Sequence, residues 1–228
     1  MIIESKNAAA NTVSAENQMS INDYVTIYNR GGNKKILFFG NSITRHEPAP
    51  HIGWNADWGM AASSKEKDFV HLIVKELDRV YGKVDYCIAQ GSRWEFAYTN
   101  GDAVLEEIYS EAREFNADIV IIRIGENITA AKHLEVNCKP YLDKAIQFLA
   151  KNENAKVIVT DMFWYAIYND CMREIAEERG YTFCHLTDLE EDEDNMAIGL
   201  FEHNGVAHHP GDLGMRRIAD RIIAKIFE

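Results

Sequence analysis

Ser42 and His209 are the residues whose chemistry stands out in this 228-residue chain. A serine hydroxyl is a poor nucleophile at neutral pH and needs an adjacent base, and histidine has a suitable proton affinity. The tetrahedral intermediate of acyl transfer carries an oxyanion. That charge needs donors fixed in advance, typically backbone N–H groups and an amide side chain. The N–H groups of Ser42 and Gly91 and the side-chain amide of Asn127 fit that requirement. Ser42 follows the run Ile36 to Phe39 and Gly40-Asn41, Gly91 follows 84–90, and Asn127 follows the apolar stretch 118–124 and Gly125-Glu126. His209 stands in Gly205-Val-Ala-His-His-Pro-Gly-Asp-Leu-Gly214, ahead of the last helical stretch.

These positions come together only if a scaffold brings them there. Short apolar runs bounded by glycine read as strands buried on both faces. Five such strands are expected: one from Lys35 to Gly40, then 84–89, 118–124, 156–161 and 181–186. Helical periodicity and stop signals place helices at 65–81, 102–115, 135–151 (bent near Pro140), 169–179 and 212–227. Strands alternating with helices give a doubly wound parallel sheet. Its right-handed crossovers put every strand's carboxyl end on one edge, where open sheets bind ligands. A short helix is expected at 21–28, behind a loosely held arm at 1–18.

Composition narrows the classes. Hydrophobic residues make up 46% of the chain, enough for one sizeable core. The net charge of −12 lacks the basic footprint that nucleic-acid binding requires. Cys87, Cys138, Cys171 and Cys184 have no zinc-like spacing and read as reduced, buried thiols. No signal peptide or membrane span is legible, so a cytoplasmic protein without membrane partners is expected.

Four motifs in order carry a resemblance. Gly40-Asn41-Ser42-Ile43, Gly91 after the second strand, Gly125-Glu126-Asn127 after the third, and His209-Pro210 with Gly214 resemble the blocks of the SGNH hydrolases, the GDSL esterase/lipase superfamily. The resemblance spans residues 35–227. It implies a flavodoxin-like three-layer α/β/α sandwich on a five-stranded parallel sheet, with residues 1–34 as an arm and short helix and 35–228 as the catalytic domain. It implies Ser42 as nucleophile, His209 as base and then acid, an oxyanion hole of Ser42, Gly91 and Asn127, and ester hydrolysis through an acyl-serine with no cofactor or metal.

Two positions depart from the pattern. Asn41 stands where the family has Asp, and Val206 occupies the place of the Asp that orients the histidine. A Ser–His dyad is therefore expected, or a triad completed from elsewhere; Glu202, Glu126 and a backbone carbonyl are the candidates. His208 is the competing histidine, and Pro210 favours His209. The long connection 45–64 holds Trp54 and Trp58. With Trp94 and Glu95 these suggest stacking on a sugar, hence a small-acyl esterase, for acetyl groups above all, acting on a carbohydrate or another small ester. The alternatives are a glycan-binding protein of the same fold without turnover and a metal-dependent hydrolase built on His203, His208, His209 and the acidic run 188–194.

Overall fold

The computed structural model describes residues 24–228. The expected arm at 1–18 lies outside them. Six strands form one sheet: β1 (Val25–Tyr28), β2 (Lys35–Gly40), β3 (Asp85–Gln90), β4 (Ile119–Arg123), β5 (Lys156–Thr160) and β6 (Thr182–Cys184). Their order across the sheet is β1-β3-β2-β4-β5-β6. The five strands read from the sequence are all present and parallel. The sixth corrects the expectation at 21–28: Val25–Tyr28 is no helix but an antiparallel edge strand along β3. Val-Thr-Ile-Tyr is β-branched and aromatic, a composition that suits a half-buried strand.

The helices are α1 (Phe69–Tyr81), α2 (Ser92–Phe96), α3 (Gly101–Ile108), α4 (Ser110–Glu114), α5 (Ala130–Glu135), α6 (Lys139–Leu149), α7 (Asn169–Arg179), α8 (Asn204–Ala207) and α9 (Asp212–Phe227). Three boundaries differ from the sequence reading. Residues 65–67 are a separate 3₁₀ turn, because the buried Asp68 carboxylate caps α1 by accepting from the His71 N–H. The helix expected at 102–115 breaks at Tyr109, whose hydroxyl donates to the Gln90 carbonyl at 2.8 Å. Pro140 bends nothing: it sits in the first turn of α6, where its missing N–H has no helical partner to lose.

Alternation along the strands divides the core in two. Leu37, Phe39, Val120, Ile122, Val157 and Val159 face α3, α4, α6 and α7. Ile36, Phe38, Ile119, Ile121 and Ile158 face α1 and α9. The result is a three-layer α/β/α sandwich with the sheet dry on both faces, as a parallel sheet requires. Cys87, Cys138 and Cys184 are buried, Cys171 is half-buried, and all four are free thiols.

Register fixes the site. Gly40 pairs with Gln90 on one side and Arg123 on the other. The turns that follow β2, β3 and β4 therefore start side by side at one edge of the sheet.

Candidate active site

The chain leaves β2 at Gly40 and turns at once. Thr44 and Arg45 both donate their N–H to the Asn41 carbonyl, at 2.9 and 3.0 Å. Only glycine fits at 40, since a Cβ there would lie 2.0 Å from Thr44 Oγ1 and 2.6 Å from the Arg123 carbonyl. Ser42 crowns this turn, and its N–H makes no hydrogen bond among the described residues.

His209 reaches it from the other end of the chain. Ser42 Oγ and His209 Nε2 lie 2.8 Å apart across 167 residues. On the far side of the ring, Nδ1 is 2.7 Å from the Gly205 carbonyl. A carbonyl can only accept, so Nδ1 carries the proton and Nε2 turns its lone pair to the serine. Burial pushes the His209 pKa down to about 4, against the opposing pull of that carbonyl. The imidazole is thus neutral at ordinary pH. His208 uses its own Nδ1 on the Asn204 carbonyl at 2.8 Å and does not touch Ser42.

Among the described residues no carboxylate orients His209, whose Nδ1 is bonded to the Gly205 carbonyl. Val206 is fully buried in a small apolar cluster with Trp54, Met60 and Ala197. Glu202 is exposed, and Glu126 points the other way, accepting from Arg123 at 2.5 Å, Asn41 at 2.6 Å and the Phe163 N–H at 3.0 Å. The backbone carbonyl is the one of the sequence candidates that is in place.

Asn127 lies half-buried at the same edge, its Nδ2 donating to Glu95 at 2.5 Å. Gly91 does not have the expected role. Its N–H is taken by the Gly40 carbonyl at 2.7 Å. Its lack of a side chain is required by packing, since a Cβ would meet Ile124 Cδ1 at 2.2 Å and Phe39 at 3.0 Å. The glycine lets core side chains approach the backbone rather than letting backbone approach a substrate.

The proposed sugar platform is also corrected. Trp94 and Glu95 are fully buried, and Trp54 is 3% exposed. Trp54 packs edge-on to Trp58 and donates Nε1–H to the His46 carbonyl. Trp58 is half-buried and donates to the Ala62 carbonyl. Both tryptophans hold together the connection 45–64, which folds back on itself through the pairs His46 with Trp58 and Ala49 with Trp54. Met60 then clasps the serine turn by donating its N–H to the Ser42 carbonyl at 2.9 Å.

Two residues near the site escaped the sequence reading. Trp164, half-buried just after β5, stands edge-on to His209 with ring centroids 5.0 Å apart. Arg123, the last residue of β4, is 1% exposed and binds both Asn41 and Glu126. An arginine ending an otherwise apolar strand was the available signal. His203 caps α8, and among the described residues no three His, Cys, Asp or Glu side chains converge as a metal-binding set.

No protein-family model matches the sequence, and no curated protein matches it. Solved structures do share the architecture. A lipase/acylhydrolase from Enterococcus faecalis superposes with a TM-score of 0.54 at 17% identity, over 85% of this chain and 95% of that one. A catalytic mutant of an acetylxylan esterase from Geobacillus stearothermophilus gives 0.51 at 17% identity, over 87% and 96%. An α/β hydrolase from the metagenome of Lake Arreo gives 0.50 at 17% identity, over 85% and 95%. With one nearly all-parallel sheet, two helical layers and the serine turn after the second strand, the chain has the α/β/α fold of the SGNH hydrolases.

Proposed function

We propose that the protein is a serine esterase for small acyl esters that works with a Ser42–His209 dyad. The 2.8 Å contact between Ser42 Oγ and an imidazole held in the right tautomer carries this reading. Ser42 attacks the acyl carbon as His209 takes its proton. His209 then gives that proton to the leaving alcohol, and water repeats the sequence on the acyl-serine. The oxyanion is met by the Ser42 N–H and by the second hydrogen of the Asn127 amide, since Glu95 accepts the first.

A backbone carbonyl orients the imidazole but brings no full negative charge to the imidazolium of the transition state. The burden on the oxyanion donors is greater for that reason. Trp164 offers an aromatic wall beside His209. An acetylated carbohydrate is the substrate class that this wall and the acetylxylan esterase fold favour, with the buried tryptophans contributing only scaffold.

The test is hydrolysis of p-nitrophenyl acetate, p-nitrophenyl octanoate and acetylated xylooligosaccharides by the wild type and Ser42→Ala. Turnover of the acetyl esters that disappears in Ser42→Ala is expected. Sugar binding without turnover would replace the esterase by a binding protein, and turnover indifferent to Ser42 would end the dyad reading.

A further inference from the structure

Under the Ser42 turn lies a polar cluster whose centre, Asn41, Glu95 and Arg123, is buried. Glu95, on α2, is 0% exposed, yet four donors converge on its carboxylate. Oε1 accepts from Asn41 Nδ2 at 3.0 Å, the Gly125 N–H at 2.7 Å and the Asn127 N–H at 3.3 Å. Oε2 accepts from Asn127 Nδ2 at 2.5 Å. Among the described residues every hydrogen bond to this carboxylate comes from a donor. An ionised carboxylate, which only accepts, satisfies the whole set; a carboxylic acid or an amide would push a donor into a cage of donors.

The rest of the cluster fixes that geometry. Arg123 only donates, so its 2.6 Å contact marks the near atom of Asn41 as the oxygen and turns the Asn41 amide nitrogen toward Glu95 and Glu126. This also accounts for asparagine at 41. An aspartate would place a third carboxylate between two others.

We propose that Glu95 is a positioning residue for the oxyanion donor: its buried carboxylate fixes the rotation of the Asn127 amide, so that one hydrogen is held and the other is aimed at the reacting carbonyl. The inference rests on the esterase reading above. Glu95 touches no substrate and acts through Asn127.

Titration supports this assignment. Burial and the neighbouring Glu126 raise the Glu95 pKa to about 7, opposed by the Asn127, Asn41 and Gly125 donors. Arg123 stands across Asn41, and the Tyr109 and Tyr168 phenols lie close enough to feel the Glu95 charge. As pH falls, Glu95 takes up its proton near neutrality, while His209 stays neutral down to about 4. The acidic limb of kcat therefore belongs to Glu95.

The experiment measures kcat and KM for p-nitrophenyl acetate from pH 4.5 to 9 in the wild type, Ser42→Ala, Glu95→Gln, Asn127→Ala and the Glu95→Gln/Asn127→Ala pair. Glu95→Gln should lower kcat by about 10–100-fold with KM within about twofold, and should lose the limb near pH 7. In the Asn127→Ala background the same change should cost less than about threefold more. Should Glu95→Gln fail to fold, the limb is read in Asn127→Ala alone, where it should be gone. Wild-type kcat in Glu95→Gln, an equal loss in both backgrounds, or a limb that survives in Asn127→Ala would overturn the proposal. If Ser42→Ala kills turnover while Glu95→Gln does not, only this inference falls; if Ser42→Ala is fully active, the esterase reading falls and takes this one with it.

Discussion

Ser42 stands on a turn whose Asn41 side chain is bonded to Glu95, Arg123 and Glu126, residues 54, 82 and 85 positions away. His209 is oriented by the Gly205 carbonyl, four positions back in the same segment. Beneath the serine lie charges and amides, shut away from water. The segment that carries the histidine buries Val206 in an apolar cluster with Trp54 and Met60. The two halves of one site thus solve the same task by opposite means. On the histidine side a short helix bends the chain back, and geometry comes from local backbone. On the serine side the partners come from α2, β4 and the turn after β4, so position depends on the tertiary fold being complete. A buried ionic network of this kind does little for net stability but is costly to break in part, because removing one member strands the others.

The largest test asks whether the halves act together. Ser42→Ala and His209→Ala should each lower kcat by more than about 10⁴-fold, and the double variant should lose little more, as expected of groups that act as a unit. Thermal melts should barely move for Ser42→Ala. Independent, multiplying losses would mean that the 2.8 Å contact is not the working pair.

The next test separates the two supports by stability. Arg123→Met strands Asn41 Oδ1 and leaves Glu126 without its cation, so it should destabilise by about 3–5 kcal/mol in urea titrations. Trp54→Ala leaves a cavity in the apolar cluster around Val206 and should cost about 3–5 kcal/mol with KM unchanged. A rise in KM without loss of stability would return Trp54 to the substrate pocket.

A smaller effect is expected from Asn41→Asp, which replaces the shared amide by a further buried carboxylate. It should cost about 1–3 kcal/mol at pH 8. Burial and the Glu95 and Glu126 carboxylates are expected to hold the new acid protonated against the pull of Arg123, so its folded pKa should lie above its unfolded one. The folded state then binds the extra proton, and the loss should shrink as pH falls. A loss that grows on acidification would mean that the network prefers a charge at 41.

The smallest expected effect sharpens the histidine side. Trp164→Ala should change KM for an acetylated sugar by a few-fold while leaving kcat for p-nitrophenyl acetate within about threefold, because the ring flanks His209 without bonding to it. Unchanged kinetics on both substrates would remove Trp164 from the substrate wall.

Much of this was written locally in the chain. Runs such as Ile36 to Phe39 and Ile119 to Ile122 alternate between the two core faces, and a strand buried on both sides needs no partner information to be recognised. Glycine stops, the Asp212 start of α9 and the order of the motifs placed Ser42, Asn127 and His209 at one edge. Val206 stands in the place of an orienting aspartate, and His209 Nδ1 meets the Gly205 carbonyl instead. The edge strand Val25–Tyr28 was missed because four residues with a helix-like prelude carry too little periodicity to separate strand from helix.

What only the folded molecule decided was which side chains face inward at the site. Trp54, Trp94 and Glu95 have the residue types of a sugar-binding platform, but burial is set by neighbours distant in sequence, and all three are interior. Gly91 is spent on Phe39 and Ile124. Arg123 and Glu126 became legible only once β2 and β4 lay in register, because a hydrogen bond across 82 residues leaves no period or spacing to read. The sequence determined the scaffold and the meeting of the Ser42–His209 pair through local pattern. The tertiary structure alone determined what holds that pair in place, since those contacts depend on packing between segments and not on order along the chain.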